Sequence, residues 1–537
     1  MSWHRDWTAP LLTMAVMSAC GGGPEEQPRD RIRAWLRAAS GARPLPLAGG
    51  DTVHVSKATV EFYRTRRWQP AWSNEKELLP TGVLLRESIG RARDDGLAPH
   101  AYGHDVTSRL LGRLEAEGED ELPDSLEVPY LASVDILLTE GYNRYANDLV
   151  RGRLDPNQGG PRWRIARGKA RESRVLQLVL EGLTPAEVVA HLRPSIPYYE
   201  RVRGALAKHY HVAAQGGWPK VPEGSVKVGQ RSPAVSLART RLISGLDDRE
   251  ALLAQMGAAD PTLFDAELAK AVEYFQLRHA IEPDGALGAA TVREMNHSVE
   301  ERISELELNL DRWRWLSDDL GERYLLVNIA GFELEVVDHN RAIESMNVVV
   351  GKRNWQTPVF ADTIEHIVVN PYWNVPPSIY NEEILPKIES DPTWLARNNY
   401  ERVREGVRQK PGPGNALGNY KFVFPNEDDI YLHDTPADHL FSRTRRDFSH
   451  GCIRVERPAD LARLLVRLQT DQDPNDLEKL VSRKRESWIK LTRPLPIYIL
   501  YFTVWVEEDG TVRYHHDIYG RDEQLQSQQR GMAAQDE

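Results

Sequence analysis

Near residue 322 the hydrophobic period of this 537-residue chain changes from helical to alternating, and that change divides what the chain can fold into. Upstream, over 129–150, Leu131, Val134, Leu138, Tyr142, Tyr145 and Leu149 recur at spacings of three and four. That spacing predicts a helix with one apolar face, stopped by Asp155-Pro156. Downstream, YLLVNI at 324–329, FELEVV at 332–337 and MNVVV at 346–350 are short and rich in Val, Ile and Leu. Gly331 and Asp338-His339-Asn340 separate them, which is the pattern of a β-meander. IEHIVV at 364–369 and the run 429–433 add strands, and 458–468 reads as a helix with Pro458 in its first turn. Residues 497–506 and 511–514, joined by Glu507-Glu508-Asp509-Gly510, read as a hairpin. The expected fold class is multidomain α+β.

Hydrophobic residues at 41% and charged residues at 27% suffice for globular cores without disulfides. The formal net charge of -11, with no basic, aromatic-interleaved patch, argues against nucleic acid as a partner. Beyond the N-terminus no apolar run approaches the ~18 residues of a membrane helix. Residues 8–19 (TAPLLTMAVMSA) follow Arg5 and end at Cys20, before Gly21-Gly22-Gly23-Pro24. This resembles a secretion signal closed by a lipobox, which implies lipidation of Cys20, export to the periplasm and membrane attachment through an N-terminal lipid. A plain signal peptide or an uncleaved anchor is the alternative.

The body of the chain has one cysteine, Cys452, in the run Ser449-His450-Gly451-Cys452-Ile453-Arg454-Val455. It has no intrachain partner for a disulfide once Cys20 is lipidated. A cysteine beside a histidine is a candidate nucleophile, because the thiolate is the reactive form and an imidazole can generate it. A buried structural cysteine is the bland alternative. His433 lies upstream at the exit of the run 429–433. A zinc site from Cys452, His433 and His450 lacks the paired spacings of common zinc sites, so no metal is expected. Together the residues spell His-x15-Ser-His-Gly-Cys-x-Arg, which resembles the active-site signature of the L,D-transpeptidases, cysteine enzymes that cross-link bacterial peptidoglycan. Asp434 departs from that pattern, since smaller members carry Gly there.

The resemblance organises the chain. Residues 1–20 are the signal and lipobox segment, and 21–50, rich in Gly, Pro and charge, read as a flexible tether. Residues 51–222 resemble the helical scaffold domain of the larger, Gram-negative-type members. Residues 223–297 carry Phe275-Gln276, then Asp284-Gly285-x-x-Gly288-x-x-Thr291 and Asn296. They resemble a small three-helix peptidoglycan-binding domain, with Thr291 capping its last helix, that either binds glycan or only packs. Residues 322–500 are the mostly-β catalytic domain, with the proline-rich stretch 371–420 implied as a lid, and 501–537 are a C-terminal hairpin and tail. The resemblance itself starts at Asn309-Leu310-Asp311-Arg312-Trp313-Arg314-Trp315-Leu316 and reaches Asp517-Ile518-Tyr519-Gly520.

The implied chemistry is acyl transfer. Cys452 attacks a carbonyl, the backbone N–H of Gly451 or Cys452 holds the oxyanion, and His433 is the base. By resemblance the donor is a tetrapeptide stem that releases D-Ala, and the acceptor is a side-chain amine of another stem, giving a 3→3 link in cell-wall biogenesis. Such enzymes are acylated by carbapenems and need no cofactor. His450 is an alternative base or an orienting residue. Arg454 is a ligand for a stem carboxylate or half of a structural ion pair. Ser449 is expected to hydrogen-bond an imidazole, and Tyr431 and His439 only to pack. An L,D-carboxypeptidase that trims stems, and a non-catalytic peptidoglycan-binding lipoprotein, remain as alternatives.

Overall fold

The computed structural model describes residues 27–38, 44–116, 124–157, 164–165, 174–256, 260–404 and 406–536. Cys20 and the apolar segment before it lie outside them. The chain divides into two compact units, Met1–Arg86 with Gly103–Glu140, and Glu87–Tyr102 with Gly141–Glu537. No helix among the described residues is long and apolar enough to cross a membrane.

In the first unit the expected tether is partly structured. Pro28–Ala38 is a helix that buries Ile32 and Leu36, one turn apart, and Leu45–Pro46 pairs with Thr52–Val53. Of the charged residues that suggested a linker, Arg29, Asp30 and Arg37 are exposed on that helix, and Arg31 and Arg33 are half-buried. The segment Arg66-Arg67-Trp68-Gln69-Pro70-Ala71-Trp72 also gains an explanation. Fully buried Asp135 accepts hydrogen bonds from the backbone N–H groups of Ala71, Trp72 and Ser73 and from the Tyr63 hydroxyl. A carboxylate so enclosed stays buried because each lone pair has a donor.

In the second unit, nine strands form one sheet: β1 (Arg323–Asn328), β2 (Glu333–Asp338), β3 (Arg341–Gly351), β4 (Phe360–Val369), β5 (Tyr420–Val423), β6 (Leu432–His433), β7 (Asp447–Ser449), β8 (Ile453–Val455) and β9 (Ser487–Leu500). Their order is β7-β3-β8-β6-β5-β4-β9-β1-β2, and β2 pairs back onto β3, so the sheet closes on itself. Alternation sends Phe422, Leu432, Ile453 and Ile489 into the core, which the helix Pro458–Gln469 also enters with Leu461 and Leu465. The other face carries Cys452, His433 and Lys421. Residues 497–500, expected in a terminal hairpin, belong instead to β9 and pair with β1 and β4. Only Val504–Val506 and Val512–Tyr514 make the hairpin, and the tail forms a helix, Arg521–Asp536.

The helix Val299–Arg314 precedes β1 and starts with a capping box between Ser298 and Glu301. Its last turn accounts for the Asn309–Trp315 motif. Trp313 stacks on Tyr198 and Phe502, with ring centroids 5.1 and 4.1 Å away. Asn309 accepts the Thr503 N–H, Arg312 pairs with Asp522, and Arg314 reaches the Asp95 carbonyl and the Tyr199 hydroxyl. The upstream helix, Asp124–Arg151, ends before the expected Asp155-Pro156 stop. Gly152 terminates it with φ 77°, and a Cβ there would meet Trp315 at 2.5 Å.

The described residues of 223–297 hold four helices rather than three: Pro233–Ile243, Asp248–Gln255, Ala266–Arg278 and Ala289–Met295. They share their own core around Phe264, Phe275 and Leu287. Gly288, not Thr291, is the cap of the last helix. Thr291 is buried one turn in, where it joins Asp284 and the Ala286 carbonyl in accepting from the Gln276 amide nitrogen. The Gln276 side-chain oxygen Oε1 in turn accepts the Gly285 N–H at 2.8 Å. The Gln, the Asp-Gly turn and the Thr thus form one hydrogen-bonded unit, which is why they occur together. Arg278 donates to the Val512 carbonyl at 2.6 Å and His279 stacks on Tyr514, so the module is packed against the C-terminal hairpin.

The stretch 371–420 is not structureless. It holds a three-stranded sheet of Trp373–Asn374, Gly406–Gln409 and Tyr400–Val403, short helices including a π-helical turn at Tyr380–Ile384, and a small core around Val375, Ile384, Ile388 and Val407. Prolines hid these elements, because each is too short to show a period.

Candidate active site

The parallel pairing of β6 with β8 brings the two halves of the motif together. Leu432 lies opposite Ile453 and His433 opposite Arg454. Cys452, one residue before β8, is therefore the diagonal neighbour of His433 on the same sheet face. Cys452 lines a cavity of about 1050 Å³ whose walls include Trp355, Lys421, Tyr431 and His450, and residues 373–379 of the long insertion.

His433 is buried, and its Nδ1 lies 2.5 Å from the Asp434 carbonyl oxygen. A carbonyl only accepts, so Nδ1 carries the proton and Nε2 keeps a free lone pair. Burial, with Arg454 and Lys421 nearby, pushes the imidazole down to about 3, so it is neutral at pH 7. The Asp434 side chain accepts the N–H groups of Asn419 and Thr435 at 2.7 and 2.6 Å. The departure from Gly at this position thus ties the end of the insertion to β6, against Gly418, whose φ is 56°.

Cys452 has a thiol held above its ordinary range by burial, offset by hydrogen bonds from Tyr431 and by the Lys421 ammonium. The Cys452 thiol donates to the Asp429 carbonyl at 3.7 Å, Tyr431 lines the cavity beside the sulfur, close enough that each shifts the other's titration, and Lys421 Nζ lies 3.8 Å from the centre of the Tyr431 ring. Tyr431 is therefore more than packing. Its signal was in the sequence, since it stands two residues before His433 and shares that face of the strand. Lys421 arrives across the antiparallel β5–β6 pair, opposite His433, and Trp373 comes from the insertion. Neither had a local signal.

The remaining motif residues take clear places. Gly451 has φ 111°, a conformation that disfavours any side chain, and a Cβ would also meet Ile430 at 3.3 Å. Ser449 does not reach an imidazole. Its hydroxyl donates to the Cys452 carbonyl at 2.5 Å and accepts the Gly451 N–H at 3.2 Å, which closes the turn. That leaves the Cys452 N–H, with no acceptor among the described residues, as the free donor beside the sulfur. His450 sits against Glu383 (3.0 Å) and Lys352 (3.3 Å), so it links the Ser449–Cys452 turn to the π-helical turn of the insertion. Arg454 forms no ion pair among the described residues, its buried Nε has no partner, and its charge faces Cys452. The structural ion-pair reading of Arg454 therefore fails.

Residues 322–479 match the family model of the L,D-transpeptidase catalytic domain, and residues 57–206 match that of the Scaffold domain. The chain carries an L,D-transpeptidase catalytic domain. A Haemophilus influenzae protein named "Putative L,D-transpeptidase" is 34% identical over 250 residues, 42% of this chain. The chain spans half the length of that curated relative. Among solved structures, an L,D-transpeptidase from Mycobacterium smegmatis shares 15% identity over 33% of this chain and 58% of its own, with a TM-score of 0.18. L,D-transpeptidase 3 from Mycobacterium tuberculosis shares 12% over 33% and 61%, with a TM-score of 0.18.

The Cys452 environment of the L,D-transpeptidase domain makes a measurable prediction. With the thiol held up by burial, alkylation by iodoacetamide is slow at pH 7 and rises with pH beyond the range of a free cysteine. Lys421→Met removes a charge that favours the thiolate. Alkylation at pH 7 is expected to slow about three- to tenfold, with the pH profile displaced upward. An unchanged profile would show that Lys421 has no electrostatic hold on the sulfur.

Proposed function

We propose that the chain is a peptidoglycan L,D-transpeptidase with Cys452 as nucleophile and His433 as base. One observation supports this most directly: Cys452 opens onto a large cavity with a hydroxyl donor, an ammonium and a neutral, tautomer-fixed histidine on the same sheet face. Cys452 loses its proton to His433 Nε2 and attacks the carbonyl at the L-centre of the diamino acid in a tetrapeptide stem. The oxyanion is held by the Cys452 N–H, and Arg454, which has no ion pair among the described residues, binds a stem carboxylate. D-Ala leaves with the proton from His433. The thioester is then resolved by the side-chain amine of a second stem, giving a 3→3 link, and residues 371–420 act as a lid over the cavity. Cys20 is the lipidation site of an exported, periplasmic form, and the helical module at 223–297 is a peptidoglycan-binding domain whose contact with the C-terminal hairpin favours packing as its main duty.

Intact-protein mass spectrometry with a carbapenem tests the nucleophile. A single covalent adduct is expected on the native protein and none on Cys452→Ala. Purified tetrapeptide stems then separate the outcomes: a cross-linked dimer supports the transpeptidase, a tripeptide alone supports an L,D-carboxypeptidase, and absence of both adduct and turnover leaves a non-catalytic binding lipoprotein.

A further inference from the structure

Trp488 is 58% exposed, on the sheet face that bears Cys452. The register runs straight from the reaction centre to it. Arg454 lies opposite His433, His433 opposite Lys421, Lys421 opposite Val368, and Val368 opposite Trp488. Isolated exposed aromatics are common on protein surfaces and need no function. This one is held in place. The Trp488 indole donates to Glu486 Oε2 at 3.3 Å, and the His366 ring meets it edge-on at 5.7 Å. The other Glu486 oxygen accepts the Tyr372 N–H at 3.0 Å, next to Trp373 in the cavity wall. The indole is thus a fixed plate, open on one side, on the same sheet face as the reaction centre and beyond the wall that Trp373 contributes to the cavity.

We infer that Trp488 is a stacking platform for the sugar ring at the head of the donor stem, an inference that rests on the reading of the chain as a stem-processing enzyme. The distances favour this occupant. Four strand spacings separate the β8 line, where Cys452 stands, from β9, roughly 19 Å. Three extended residues, the part of the stem between the attacked carbonyl and the sugar, span roughly 10 Å. The γ-linked residue and the ether arm that joins stem to sugar lengthen this further, which brings a pyranose ring over β9. The apolar C–H face of such a ring suits an indole plate, and exposed Lys490 beside it offers a donor to ring oxygens. A free peptide would leave the plate empty.

Binding is measured on the full chain carrying Cys452→Ala, so that turnover plays no part. The probes are a free tetrapeptide stem and the same stem on its disaccharide. The ratio of their dissociation constants reports the sugar's own contribution. With Trp488 present the disaccharide is expected to improve affinity about tenfold, equivalent to about 1.4 kcal/mol. In Trp488→Ala the ratio is expected to fall close to one, and in Trp488→Phe, which keeps a ring, to retain part of it. Thermal unfolding of each variant checks that the fold is intact. A ratio near one with Trp488 present overturns the inference, as does a ratio that Trp488→Ala leaves intact. Equal loss for both ligands overturns it too, and would assign Trp488 to the peptide. The carbapenem adduct on native Cys452 stands apart from these readings: its absence would defeat the catalytic reading while leaving the sugar ratio measurable.

Discussion

Replacing His433 by glutamine is expected to slow acylation of Cys452 by a carbapenem about 10²–10⁴-fold, the span typical of a positioned general base. Glutamine is close in size and can keep a hydrogen bond to the Asp434 carbonyl, but it has no lone pair that takes a proton at neutral pH. The buried thiol is then left without a base, and burial already holds its proton on. A time course by intact-protein mass spectrometry reads the rate. The pH dependence distinguishes the two groups. His433 titrates at about 3, so it is neutral across pH 5–8 and contributes no change there. With a neutral imidazole and a neutral thiol throughout that range, the base-assisted acylation rate of the native protein is expected to stay flat, whereas the residual rate of His433→Gln, which needs preformed thiolate, is expected to rise with pH. Equal rates for the native and His433→Gln proteins would remove His433 from the chemistry.

Asp95→Ala is expected to cost about 3–5 kcal/mol of stability, the range for breaking a buried ion cluster by removing one partner. Asp95 is fully buried and meets Arg193 Nε and Arg203 Nε, each at 2.8 Å, with the Tyr145 hydroxyl at 3.0 Å. Arg314, also buried, donates to its carbonyl. Burial alone would raise the Asp95 carboxyl, yet the three guanidinium groups hold it below the usual range. Without it, three cations face one another in low dielectric. The sign of the pH effect follows. A depressed carboxyl stabilises the fold above the unfolded carboxylate value, near pH 4, and that contribution fades as pH falls further. Urea unfolding of Asp95→Ala and Asp95→Asn near pH 7 measures both, with Asn, which keeps some hydrogen bonds, the milder change. A loss under about 1 kcal/mol for Asp95→Ala would show that the arginines relax to solvent on their own.

Local order was legible wherever the pattern was periodic or the chemistry contiguous. The strands within 324–350 and the helix at 458–468 appear where their residues predicted. The errors fell where short elements carry no period. Residues 28–38 looked like linker because charge outnumbers their three buried residues, and the elements inside the implied lid went unread because its strands are two to four residues long. Thr291 looked like a helix cap because threonine is a favoured cap residue and a helical run follows it. Its hydroxyl instead serves Gln276, a partner fifteen positions away in the chain.

The sequence by itself determined the change from helical to β architecture, the pairing of His433 with the Ser449–Arg454 run, and the glycine at 451. Periodicity, a contiguous motif and backbone permissiveness are all written in neighbouring residues. Only the tertiary structure decided that Tyr431 and Lys421 attend the Cys452 sulfur, that Ser449 closes the turn rather than meeting an imidazole, and that Trp488 shares a face with the reaction centre. Those relations depend on which strands pair and in what register, and a shift of one residue would turn every one of these side chains to the opposite face.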